Sequence, residues 1–323
     1  MKYRESLEKF PEQLEYSLKN YKPHGIELSN YNQVILAGLG GSGISAKIIK
    51  SYFFDKIELP IEVVSDYNLP KFADEKTLLI LCSYSGNTEE TLSVLADGKE
   101  KKCGIMIISA GGKLLAEAQQ YNYIHYTLPN GFQPRMTIGY GLTTLFLIFS
   151  ELTKLDAKKD IQNAIDTLNN KENWKPELDK FYAFFKETAQ QKFSISSDKY
   201  LDATSLRFCQ QLNENSKAEA FLNVLPEVNH NVIESYYGKL ESNFIFIHTN
   251  KNERITLRFQ FLKTLLANNN NKVYSFVLED YNFTEIIKLI HIHDWFSVKI
   301  AEDQNIDVLN IENIINLKNF LSS

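Results

Sequence analysis

Short, uninterrupted apolar runs alternate with amphipathic stretches along the first 130 residues. NQVILAG (32–38) reads as a strand, and ISAKIIKSYFF as the helix after it. IELPIEVVSD and TLLILCSYSG are two further strands, and NTEETLSVLA opens a helix. CGIMIISAGG then reads as a strand, KLLAEAQQY as a helix and YIHYTL as a short last strand. Strands that are apolar throughout are covered on both faces, and helices between them act as crossovers of a parallel sheet. Those crossovers are expected to be right-handed. Asn87 is placed to cap the helix of NTEETLSVLA, with Glu90 three positions on completing a capping-box-like pair.

From about 139 to 190 the pattern is helical only, beginning with the apolar GYGLTTLFLIFSEL and continuing through the polar KKDIQNAIDTLNNKENWKPELDKFYAFFKETAQ. The strand–helix rhythm then returns. FSIS and KYLDAT supply strand ends, SLRFCQQLNENS a helix, NFIFIHTN a strand and RITLRFQFLKTLLANNN a helix. KVYSFVLED is a strand, TEIIKLIHIHDWFSVKIAED a long helix, and NIENIINLKNFL a terminal one. The expected organisation is an N-terminal α/β domain over 1–150 with a leading helix, a helical connector over 151–190, and a second α/β domain over 191–323. The duplication rests on rhythm, since the halves share little sequence.

Composition narrows the class. With 44% hydrophobic and 23% charged residues, the 323-residue chain can bury two ordinary cores. A formal charge of −5 argues against a general nucleic-acid binder and leaves room for a local basic pocket. MKYRESLEKFPEQLEYSLKN is charged throughout and lacks the apolar stretch of a signal peptide. GYGLTTLFLIFSEL is too short to span a bilayer, so no membrane partner is expected. Cys82, Cys103 and Cys209 form no CxxC pair or metal spacing, and Cys82 and Cys103 fall in or beside strands as small hydrophobes. The expectation is a reduced, cytoplasmic protein. His291 and His293 in HIHDW stand at i, i+2, on different faces of a helix with no third ligand. One is expected to pack and the other to be solvated, with no metal site.

Two loops carry the candidate chemistry. GLGGSGIS (38–45) follows a strand, opens a helix and matches G-x-G-x-x-G, with Asp66 at a distance suited to a ribose. Alone it would suit a nicotinamide dinucleotide. CSYSGNTEET (82–91) also joins a strand to a helix, and it sets Ser83, Ser85 and Thr88 around a glycine turn at that helix's N-terminus. Hydroxyl donors beside a positive helix end suit one phosphate monoester, whereas a dinucleotide site needs no such loop. On this reading Gly40, Gly41 and Ser42 bring backbone and hydroxyl close to a sugar.

GxGGSG followed by SYSGNTEET resembles the sugar isomerase (SIS) domain. RFCQQLNENSKAEAF, PEVNHNVIESY, QPRMTIGYGL and INLKNFL further resemble segments of the bifunctional phosphoglucose/phosphomannose isomerases, from about residue 30 to the end. The resemblance implies two SIS-type three-layer α/β/α sandwiches, each with a mainly parallel sheet. It also implies isomerisation of glucose 6-phosphate, and of mannose 6-phosphate, with fructose 6-phosphate through a cis-enediolate, without metal or cofactor. It casts Glu214 as the base, because a carboxylate desolvated beneath a sugar holds protons more tightly. His230 becomes the ring-opening group, contributed by the neighbouring subunit of a homodimer. Arg135 steadies the enediolate oxygens, and Lys318 assists ring opening or charge stabilisation. IDVLNIENI lacks the threonine that some members carry near the C-terminus, which weighs against mannose turnover relative to glucose. The rivals are an SIS-fold sugar-phosphate-sensing regulator without isomerase activity, an NAD-dependent dehydrogenase using Asp66, and an amide-transferring enzyme. For the last, no N-terminal cysteine or glutaminase half is seen.

Overall fold

A computed structural model describes residues 3–186 and 191–321. They belong to two compact units, Lys9–Asn169 and Met1–Glu8 with Asn170–Ser323. A short helix, α1 (Tyr3–Glu8), thus belongs with the C-terminal part of the chain.

In the unit Lys9–Asn169 the order is α2 (Phe10–Asn20), β1 (Gln33–Ala37), α3 (Gly40–Phe53), β2 (Ile61–Val64), β3 (Thr77–Ser83) and α4 (Glu89–Glu100). There follow β4 (Gly104–Ser109), α5 (Gly112–Gln120), β5 (Ile124–Thr127), α6 (Ile138–Leu152) and α7 (Ala157–Asn169). All five strands are parallel, in the order β2-β1-β3-β4-β5. Every residue of β3 is buried because both faces are covered. Ile35, Leu79, Leu81 and Ile107 meet Val94, Leu95, Leu114 and Ala118 of α4 and α5 in one core cluster. On α3 and α6, Phe53 packs against Phe146 and Phe149 with ring centroids 5.9 and 5.3 Å apart. Outside α6 lies α2, whose buried Gln13 donates to Met136 O at 2.8 Å and accepts from Gly139 N at 3.0 Å.

The other unit continues with α8 (Lys175–Phe185), β6 (Lys192–Ser197), α9 (Asp202–Ser216), β7 (Glu219–Val224), β8 (Asn243–Thr249), α10 (Glu253–Asn268), β9 (Val273–Leu278), α11 (Phe283–Asp303) and α12 (Glu312–Leu321). Its four strands are again parallel, ordered β7-β6-β8-β9. One face carries α8, α9 and α11, joined by rings of Phe181, Phe208, Phe276 and Phe296. The opposite face carries α10 and the segment 225–240, where Leu225, Val228 and Tyr236 pack with Phe244, Phe246 and Phe259. Both units are therefore three-layered.

Several details differ from the sequence pattern. The helical stretch 151–190 is divided, with α7 in the first unit and α8 in the second. KYLDAT holds no strand end. The Asp198 carboxylate accepts from Tyr200 N and Leu201 N at 3.0 Å each, which turns the chain directly into α9. EAFLNV, by contrast, forms β7, an edge strand that leaves Phe221 53% exposed.

His291 and His293 are both buried, at 2% and 1% exposure, contrary to the expectation of one packed and one solvated. The cause is that α11 is covered almost all round. His291 accepts from Trp295 Nε1 at 3.1 Å and meets the edge of Trp174. His293 stacks on Phe208 at 4.1 Å, and neither of its ring nitrogens has a hydrogen-bond partner among the described residues. Burial pushes each down to about 3, with the Arg207 guanidinium adding to the effect at His293. A histidine held neutral in the fold stabilises it fully above the unfolded value near 6.5. That contribution fades as pH falls below 6.5, by about 1.4 kcal/mol per pH unit for each group. Leu in place of His293 is expected to keep or raise Tm at pH 7.5 and to lessen the loss between pH 6.5 and 5 by the share that His293 contributes. Thermal unfolding across that range checks it, and a steeper loss in the variant would refute it.

Candidate active site

The order β2-β1-β3 places a topological switch point between β1 and β3, where α/β sheets bind ligands beyond the carboxyl ends of their strands. Both special loops lie there. Glycines make the first loop possible. A Cβ on Gly38 would lie 2.7 Å from Cys82 O, and one on Gly43 2.5 Å from Gly38 O. Ser65 Oγ donates to Gly38 O at 2.9 Å, and Tyr84 N donates to Ser42 Oγ at 3.2 Å, so Ser42 links the first loop to the second.

The second loop is braced from behind. Gly86 has φ +67°, and a Cβ there would stand 1.8 Å from Gly111 O. Gly86 N donates to Ser83 Oγ at 3.1 Å, and the Ser83 and Thr88 hydroxyls are 2.8 Å apart. Asn87 N donates to Ser85 Oγ at 3.3 Å. Ser83, Ser85 and Thr88 thus gather around one turn at the start of α4. Asn87 does not cap α4 as expected. Thr88 precedes the helix, and Asn87 Oδ1 instead accepts from Lys113 N at 3.0 Å, at the start of α5. The partner lies 26 residues away, so the helical spacing to Glu90 could not show it. The pair Gly111–Gly112 was the missed signal. Gly112 has φ +68°, and a Cβ would come 2.4 Å from Ser85 O.

Arg135 sits in a 3-10 turn, Pro134–Met136, at the mouth of α6, and is 6% exposed. Gly41 approaches this turn so closely that a Cβ would lie 2.9 Å from Pro134 O and 3.6 Å from Arg135 N. The backbone of Arg135 therefore stands beside Gly41. A cavity of about 20 Å³ is lined in part by Gly41, Ser42, Tyr84 and Thr137. Ligand pockets are usually about 300–1,000 Å³, so this cavity is too small to hold a sugar. Burial pushes the Cys82 thiol up to about 12, which leaves it inert as a nucleophile.

In the other unit, Glu214 lies half-buried in the last turn of α9. Asn215 Nδ2 donates to Ser297 Oγ at 2.9 Å, and Ser216 Oγ donates to Ser297 O at 2.7 Å, pinning this helix end to α11. His230 is exposed at the end of a 3-10 turn, Glu227–His230, in the segment that packs with α10. Glu214 and His230 thus belong to layers on opposite faces of one sheet, and this unit does not set them side by side. Lys318 is exposed on α12, which buries no residue. Asp66 is exposed, with its Oδ1 accepting from Tyr67 N at 2.7 Å. Among the described residues no group of three His, Cys, Asp or Glu side chains is arranged to hold a metal ion, and no helix is long and apolar enough to cross a membrane.

Residues 182–321 match the family described as the bacterial phospho-glucose isomerase C-terminal SIS domain. The fold also matches the C-terminal domain of glucosamine-fructose-6-phosphate aminotransferase from Francisella tularensis, with TM-score 0.73 and 13% identity over 95% of this chain and 97% of that one. The class is thus an SIS-fold protein. Over 98% of each chain, the sequence is 31% identical to the bifunctional phosphoglucose/phosphomannose isomerase of Caldicellulosiruptor bescii. A D-glucosamine-6-phosphate 4-epimerase of Sulfolobus acidocaldarius is 33% identical over 64% of this chain and 65% of its own length. The chain belongs to the bifunctional phosphoglucose/phosphomannose isomerase family.

Proposed function

We propose that the protein interconverts fructose 6-phosphate with glucose 6-phosphate, and with mannose 6-phosphate, through a cis-enediolate. The observation that carries this reading is the pair of interlocked loops at the β1/β3 switch point, lined by Ser42, Ser83, Ser85 and Thr88 with Arg135 alongside. The loop hydroxyls and the N-terminus of α4 receive the phosphate. His230 moves a proton between the ring oxygen and O1 to open the ring. Glu214 takes the C2 proton, and the electron pair left behind forms the C1–C2 double bond while O1 gains charge beside Arg135. O1 is protonated, the O2 proton leaves, and Glu214 returns its proton to C1. Lys318 offers a second cation to the developing charge. Every step is a proton transfer, so none draws on a metal or cofactor. Planar C2 erases the difference between the glucose and mannose configurations.

Incubating the protein with fructose 6-phosphate and a chelator, and following the two aldose phosphates separately, tests this. Both products support the reading. Glucose 6-phosphate alone removes the mannose activity. No product from folded protein overturns it in favour of a sensing module, and turnover of glucosamine 6-phosphate at C4 instead would assign the site to epimerisation.

The active unit on this reading is a homodimer in which His230 serves the neighbouring site. Its exposure, and its layer opposite that of Glu214, favour this arrangement. Mixing two inactive variants, Glu214→Gln and His230→Ala, under conditions that exchange subunits is expected to restore about a quarter of wild-type activity, because half of the dimers then carry one intact site. No recovery despite verified exchange would show that both groups act in one chain. The three buried free thiols suit a reducing cytoplasm.

A further inference from the structure

We propose that Lys217 is a positioning residue for the isomerisation, tying the helix end that carries Glu214 to the start of the helix that carries Lys318. The proposal rests on the isomerase reading given above. Lys217 follows α9 with φ 53° and ψ 26°, a left-handed conformation usually taken by glycine at a helix C-terminus. A residue with a side chain is disfavoured there. The side chain nevertheless makes two specific contacts. Lys217 Nζ donates to Glu214 O at 2.5 Å and to Asn310 O at 2.7 Å. The first satisfies a carbonyl at the negative end of α9. The second holds the residue whose own side chain starts α12, since Glu312 N donates to Asn310 Oδ1 at 2.9 Å.

This matters because α12 is not anchored by burial. Ile314, Ile315, Leu317, Phe320 and Leu321 are all exposed, and no residue of the helix is buried. The Lys217 ammonium therefore bridges backbone at the base to backbone at the root of α12. Lys318 lies eight positions beyond Asn310 on a helix that rises about 1.5 Å per residue, so a tilt at the root is magnified at the ammonium. Losing the tether leaves Glu214 and Lys318 in place chemically but lets their separation wander.

Three variants separate this role from a merely structural one. Lys217→Gly suits the left-handed backbone and removes the tether, so Tm should hold or rise while kcat falls about tenfold or more with KM within about threefold. Lys217→Met removes only the ammonium and should show the same kcat loss, and Lys217→Arg should recover part of it. In a Lys318→Ala background, adding Lys217→Gly should cost less than about threefold further, because the tether acts through that lysine. Hydrogen exchange of the peptide 311–321 should speed up in the Gly and Met variants whatever the activity. Unchanged kcat and unchanged exchange overturn the proposal while wild-type turnover leaves the isomerase reading standing. A full multiplicative loss in the double variant overturns the coupling to Lys318. If wild type fails to turn over fructose 6-phosphate, the isomerase reading and the catalytic half of this proposal fall together, and exchange still decides the tether.

Discussion

Glu214→Gln is expected to lower kcat for both aldose phosphates by about 10³-fold or more, within the range that general acid–base groups supply. The substitution keeps shape and hydrogen-bonding capacity and removes only the carboxylate proposed to carry a proton between C2 and C1. Its surroundings give the loss its specificity. The helix end is pinned by Asn215 and Ser216 to Ser297 and by Lys217 to Asn310. The unfolding free energy should change by no more than about 1 kcal/mol, as for a shape-conserving substitution at a half-buried position. KM should change little, because the loop proposed to hold phosphate does not include Glu214. Steady-state kinetics with a melting curve checks this. Retention of a tenth of the activity by a folded variant would remove Glu214 from its role.

Gly86→Ala should be the next most damaging, through the loop proposed to hold phosphate. At φ +67° an alanine is already disfavoured by about 1–2 kcal/mol. Its Cβ would also stand 1.8 Å from Gly111 O and 2.8 Å from Ser109 Oγ, so backbone must move. The displaced turn carries Ser83, Ser85 and Thr88, and misplacing a binding group by about 1 Å can reduce catalysis about 100-fold. The expected result is a fall of about 100-fold in kcat/KM, with weakened inhibition by inorganic phosphate. Gly25→Ala is the control, since Gly25 has φ +65° with open space around it. It should lose stability through strain alone and keep its KM. Equal effects of the two substitutions on KM would separate the loop from phosphate binding.

The sheet was legible wherever strands are buried on both faces. β1, β3 and β8 are continuous apolar runs because helices cover them twice. β7 leaves no such mark because an edge strand with Phe221 and Glu219 exposed has no continuous apolar run. The two glycine loops could be read because close backbone approach leaves its mark as glycine at 38, 43 and 86. The contact of Asn87 is hidden from the sequence, since its partner Lys113 is near in space and far in sequence. The burial of both His291 and His293 is hidden for a similar reason. Helical periodicity gives the direction of each face, and only tertiary structure tells that both faces of α11 are covered. The same limit hides the role of Lys217. A lysine after a helix looks like a solvated residue until its reach to Asn310 is seen.

The most direct test of the central claim is isomerisation of fructose 6-phosphate in deuterium oxide with a chelator present, the products being resolved by NMR. An enediolate formed by proton transfer through Glu214 predicts glucose 6-phosphate and mannose 6-phosphate that both carry deuterium at C2 in part of the product, and neither from Glu214→Gln. Aldose phosphates wholly free of solvent deuterium, or no aldose phosphate at all from folded protein, would contradict it.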